Sequence, residues 1–185
     1  MTFVFCLTAL VSCSGKDDYV PAGFKRISDK NADHVLYVPE GWISDMSTGV
    51  TTAYVSEKDP SNISFTSFSL KGSGLNADET DESGEKISIL DSYWELYSAD
   101  FESTFSDMAY EVEGEELLLS KIEARKYIYT ATVTGSAYKF MQVVAIKGDA
   151  VYVFTYTALV EVDGTKVFDS HLSDVEEIIG YIEIK

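Results

Sequence analysis

The sequence predicts an α+β domain in which helices cover both faces of a central antiparallel sheet, a three-layer α/β/α sandwich. Two observations carry that expectation. Two-residue hairpin signals, Gly135-Ser136 and Gly148-Asp149, join long runs whose apolar residues fall on both faces of the implied sheet. One amphipathic helical stripe precedes those strands and another follows them, so each face has a helix to cover it. The length of 185 residues suits one domain, and 45% hydrophobic residues with 13% aromatic can fill its core.

The chain opens on an uncharged, mostly apolar run from Thr2 to Val11, too short to span a bilayer but of the length found in a signal peptide. It ends in Leu10-Val11-Ser12-Cys13, which is similar to the bacterial lipoprotein signal whose cysteine is acylated and becomes the new N-terminus. Residues 1–11 contain neither Lys nor Arg, so the expected start lies upstream and residues 1–12 read as a signal peptide truncated at its beginning. Residues 13–23 then form a tether, rich in Gly, Pro and charge, whose ten residues after Cys13 reach at most about 35 Å. Cys6 leaves with the signal. The body, residues 24–185, holds no cysteine, which excludes zinc ribbons, redox pairs and Cys nucleophiles there.

Within the body, Phe24–Ile27 and His34–Val38 read as a first strand pair, followed by a turn at Pro39-Glu40-Gly41-Trp42 that presents an aromatic ring. Val50–Ser56 and Ile63–Leu70 form a second pair. Lys71–Glu85 has no periodicity and is an acidic loop. A helix follows, with Leu90, Tyr93, Trp94, Tyr97, Phe101, Phe105 and Met108 on one face and Ser88 with Asp91 as its capping pair. Counting outward from Gly135-Ser136 opposes Val133 to Tyr138 and Tyr129 to Gln142. Counting from Gly148-Asp149 opposes Ile146 to Val151 and Val144 to Val153. Tyr127, Tyr129, Phe140, Val144, Val151 and Val153 then share one face, and Met141, Val143, Ala145, Tyr152, Phe154 and Tyr156 the other. A closing helix carries Phe168, Leu172, Val175, Ile179 and Ile182 on one stripe.

Several segments together resemble the PsbP-like family, named for the extrinsic P protein of the photosystem II oxygen-evolving complex and shared with the Mog-type nuclear import factors that bind Ran. They are Val38-Pro-Glu-Gly-Trp42 after an opening strand, Ile122-Glu-Ala-Arg-Lys-Tyr127, Gln142, Tyr152-Val-Phe-Thr-Tyr-Thr-Ala158 and the closing helix Phe168–Ile182. The chain departs from the pattern at Glu123, where the family often has Gly. The resemblance covers about residues 24–184. It implies a binding or assembly subunit rather than an enzyme, as in bacterial relatives that look like lipoproteins.

The charge balance, 31 acidic against 14 basic residues for a net −17, repels nucleic-acid phosphate and anionic lipid, so no nucleic acid is expected as a partner. Gly72-Ser-Gly74 followed by Asp78, Glu79, Asp81 and Glu82 would repel a pyrophosphate, and Ser83-Gly-Glu-Lys86 matches the Ser-x-x-Lys pattern without its companion motifs. Glu79, Asp81, Ser83 and Gly84 fit the first positions of a calcium loop, but Leu90 stands where the closing Glu belongs. Glu79 and Asp81 are therefore only weak metal candidates, and no metal or cofactor is expected. His34 and His171 lack partners at any useful spacing. The expected protein is a lipoprotein on the extracytoplasmic face of a bacterial membrane, held through acylated Cys13, whose non-catalytic domain binds an envelope protein. The alternatives are a weak calcium sensor through residues 78–85 and a small envelope hydrolase using two buried acids in a cleft.

Overall fold

A computed structural model of the chain describes residues 19–45, 50–75, 80, 82–84 and 87–185. Cys13, Glu79 and Asp81 lie outside the described residues. Three short strands come first, β1 (Phe24–Arg26), β2 (His34–Val35) and β3 (Tyr37–Pro39); β4 (Ile43–Asp45), β5 (Thr51–Tyr54) and β6 (Asn62–Ser69) follow. Helix α1 (Ile89–Thr104) leads into four long strands, β7 (Ser106–Leu119), β8 (Ile122–Val133), β9 (Ser136–Lys147) and β10 (Ala150–Leu159). The chain closes with α2 (Val167–Ser170), α3 (Leu172–Tyr181) and β11 (Glu183–Ile184).

Seven of these strands form one antiparallel sheet in the order β4-β5-β6-β10-β9-β8-β7. Its two faces are both apolar. Tyr127, Tyr129, Val144, Val151 and Val153 pack with Leu90, Tyr93 and Trp94 of α1. Met141, Val143, Phe154 and Tyr156 pack on the other side with Phe168, Val175 and Ile178 of α2 and α3, and with Leu36 and Val38 beside β1–β3. The expected antiparallel sheet and its helices are therefore present, with the cover of the second face shared between helices and short strands.

Ser88 caps α1, its Oγ accepting from Asp91 N at 3.4 Å. The helix stops at Thr104 rather than reaching Met108, which lies in β7 under the same aromatic layer. The closing helix is broken at His171, and Ile182 lies beyond its end. Trp42 is not presented by its turn but buried in the second core, its carbonyl held by the Lys25 ammonium. The hairpin at Gly148 has the expected register, Ile146 opposite Val151 and Val144 opposite Val153. The earlier hairpin turns on Thr134-Gly135, so Val133 opposes Ser136 and Tyr129 opposes Phe140. Both turn residues have positive φ, 49° and 85°, as a type I′ turn requires.

Register also fixes which connections share a pole. Ala124 opposes Ala145 near the Ser120-Lys121 and Gly148-Asp149 turns, whereas Ala131 opposes Tyr138 at the other end. From Tyr138 to Lys147 the strand spans about 30 Å at a rise of ~3.4 Å per residue.

Candidate functional site

The pole at Tyr138 carries a pocket of about 320 Å³. The end of β10 supplies Ala158 and Leu159, the start of β9 supplies Tyr138, and the β5–β6 connection supplies Asp59 and Pro60. Val162 closes one side, presented by a tight Asp163-Gly164 turn in which Val162 and Thr165 exchange backbone hydrogen bonds at 3.0 and 2.9 Å.

The β5–β6 connection is held by its own side chains before any tertiary contact is made. Asp59 N donates to Ser56 Oγ at 3.1 Å, and Ser61 N donates to Asp59 Oδ1 at 3.0 Å. The free oxygen, Oδ2, then accepts from His171 Nε2 at 2.7 Å. His171 sits at the α2–α3 junction, edge-on to Trp42 at 6.4 Å between centroids. Burial pushes the Asp59 carboxyl up, but the hydrogen bonds from Ser61 and His171 outweigh it and hold the group below its ordinary value.

The other histidine also finds partners through the fold. Asp33 Oδ1 meets His34 Nδ1 at 2.8 Å, and His34 Nε2 lies 3.5 Å from Thr51 Oγ1 with its ring on Phe65. Acid, imidazole and hydroxyl thus stand in the order of a hydrolase relay. The hydroxyl is buried, however, and the surface cavity beside Asp33 is not lined by Thr51. Burial pushes Asp33 up, and the hydrogen bonds it accepts, that of His34 first, bring it below its ordinary value. A glycosidase acid needs the opposite shift.

Neither histidine–carboxylate pair was visible in the sequence, since Asp59 and His171 are 112 residues apart and only the packing of α2–α3 beside the β5–β6 connection joins them. Chemically, the Tyr138 pocket offers an apolar floor with a rim whose carboxylate already has both oxygens engaged. Such a cavity suits recognition of a small apolar group more than proton transfer to one. Among the described residues no group of His, Cys, Asp and Glu is arranged to hold a metal ion, and no helix is long and apolar enough to cross a membrane.

No protein-family model matches the chain, and no curated protein matches it by sequence. Solved structures do. Cyanobacterial PsbP from Synechocystis is similar with a TM-score of 0.55 at 17% identity, over 95% of this chain and 99% of that one. A protein of Bacteroides thetaiotaomicron is similar with a TM-score of 0.54 at 13% identity, over 88% of this chain and 49% of that one. A protein of unknown function from Pseudomonas aeruginosa reaches 0.52 at 14% identity, over 85% and 94%. At these identities the likeness is one of fold, and the fold of this chain is that of a PsbP-like domain.

Proposed function

We propose that this chain is a lipid-anchored extracytoplasmic protein whose PsbP-like domain binds another envelope protein without catalysing a reaction. The observation that carries the reading is the Tyr138 pocket, sized for a side chain and bordered by the Asp59 carboxylate, whose two oxygens are already paired. Read as three layers, helix, sheet, helix, the domain has both sheet faces covered, which leaves its poles and edges for recognition. Acylation of Cys13 and the short tether that follows it place the domain at the membrane surface. Two or more acyl chains, at about 0.8 kcal/mol per buried methylene, make the attachment essentially permanent.

The pole bearing Tyr19 is then the near one and the pocket stands about 30 Å further out, within reach of a partner's exported domain. Labelled palmitate should enter the wild type and not Cys13→Ala. Crosslinking in intact cells followed by affinity isolation should enrich an envelope protein over that control. Val162→Arg, at the exposed lip of the pocket, should lower the enrichment about tenfold while leaving the melting temperature unchanged. Equal recovery by the wild type and Cys13→Ala, or no effect of Val162→Arg, would count against this function.

A further inference from the structure

At the opposite pole from the pocket, a groove of about 850 Å³ runs between the β7–β8 hairpin and the end of α3, more than twice the volume of the Tyr138 pocket. It is built from both sides. Ile184 N donates to Ser120 Oγ at 2.8 Å, which clamps β11 to the hairpin turn, and Ile179 and Ile182 form apolar wall. The alternation of β7 buries Leu119 and turns Leu118 outward, 66% exposed on the groove. Tyr19, also 66% exposed, forms another part of the lining and is pinned there by the Tyr37 hydroxyl, which donates to its carbonyl at 2.7 Å. With Val20 beside it, three of the seven exposed large hydrophobic residues among the described ones gather at this pole. An apolar cluster of that kind marks a binding surface.

Where the chain enters decides what can reach the groove. Cys13 precedes Tyr19 by six residues, which span at most about 20 Å. The groove therefore opens within that distance of the acylated end. Its lining carries Glu176 and Glu183 against Lys121, on a chain of net charge −17, so an anionic bilayer surface is repelled from it. We infer that the groove seats an apolar segment bearing Lys or Arg, contributed by the extracytoplasmic juxtamembrane region of an integral protein in the same membrane. Lys and Arg are less frequent in such segments than on the cytoplasmic side, which makes a basic apolar one a selective address. This inference rests on the lipid-anchor reading, because the short reach from Cys13 is what brings the groove to the membrane.

The test uses the full chain in its own cell envelope, with benzoylphenylalanine replacing Leu118 or, as a control, the exposed Leu96 of α1. Photo-crosslinked peptides from the Leu118 probe should map within about 20 residues of a transmembrane span of an integral protein and carry Lys or Arg. Their yield should exceed that from Leu96 by about tenfold, and should fall several-fold in E176K/E183K or when a flexible spacer is inserted after Ser14. Adducts with lipid alone, with a second copy of the chain, or at the Leu96 level would overturn the inference. Palmitate labelling separates the two readings: labelled Cys13 with one of those results sinks the groove alone, whereas unlabelled Cys13 sinks the anchor and the groove with it.

Discussion

His171 donates from Nε2 to Asp59 Oδ2 at 2.7 Å, joining the α2–α3 junction to the connection between β5 and β6. The carboxyl is held below its ordinary value of 3.8. A carboxylate with a depressed folded-state pKa contributes stability above its unfolded pKa and loses it as pH falls through the folded one. Asp59→Asn should therefore lower unfolding free energy by about 1–3 kcal/mol at neutral pH, and the difference from wild type should shrink as pH drops below 4. Urea unfolding at neutral and acid pH measures this. A difference that stays constant across the range would show that the charge of Asp59 contributes nothing.

Tyr93 and Tyr156 are both buried, yet their hydroxyls have opposite circumstances. The Tyr156 hydroxyl donates to Phe168 O at 3.1 Å and ties α2 to the sheet, whereas the Tyr93 hydroxyl has no hydrogen-bond partner among the described residues. An unpaired buried hydroxyl costs about 1–3 kcal/mol, and a satisfied one contributes about 1. Tyr93→Phe should raise stability by up to about 1 kcal/mol and Tyr156→Phe should lower it by at least that much. Chemical denaturation of the pair would refute the assignment if both changes had the same sign.

Much of the sheet was legible because strand side chains repeat with period two. The first hairpin turns on Thr134-Gly135 instead of Gly135-Ser136, yet this moves the pairing by two residues and leaves Tyr127, Tyr129, Phe140 and Val144 on the face expected of them. Strand β7 was not legible. Its glutamates at 111, 113, 115 and 116 suppress the apolar signal, and three register irregularities break the alternation. As an edge strand it needs few buried residues and benefits from charge, and Glu111, Glu115 and Glu116 pair with Lys139, Lys126 and Arg125. The histidine pairs were illegible for another reason: each is made by packing between distant segments or, for Asp33 and His34, by a local strand geometry that spacing does not report.

Alkaline conditions probe the aromatic layer under α1. Burial pushes the Tyr127 phenol up to about 12, with Asp91 adding to the rise and Arg125 opposing it. Burial raises Tyr93 and Tyr129 of the same layer as well. For a phenol the neutral form is the one the fold favours, so this stability is complete below the unfolded value of about 10 and is lost as pH climbs through the raised values. Followed by phenolate absorbance, these three tyrosines should ionise together with loss of near-UV circular dichroism. Smooth titration of all twelve tyrosines near pH 10 with the dichroism intact would contradict burial of the layer.

Thr134 is the residue that hid the true turn. Type I′ turns favour Asn or Asp followed by Gly, because both central residues need positive φ and a short polar side chain tolerates it. Thr134 instead holds a β-branched side chain at φ 49°, beside Gly135 at 85°. A branched residue in this region carries strain of about 1–3 kcal/mol, retained here because the long β8–β9 ladder determines the turn from both sides. Thr134→Asn should relieve part of it, raising stability by about 0.5–1 kcal/mol and the melting temperature by about 2–4 °C. Thr134→Val, equally branched and without the hydroxyl, should gain nothing. A melting temperature of Thr134→Asn at or below that of wild type would place the hairpin's turn elsewhere than at Thr134-Gly135.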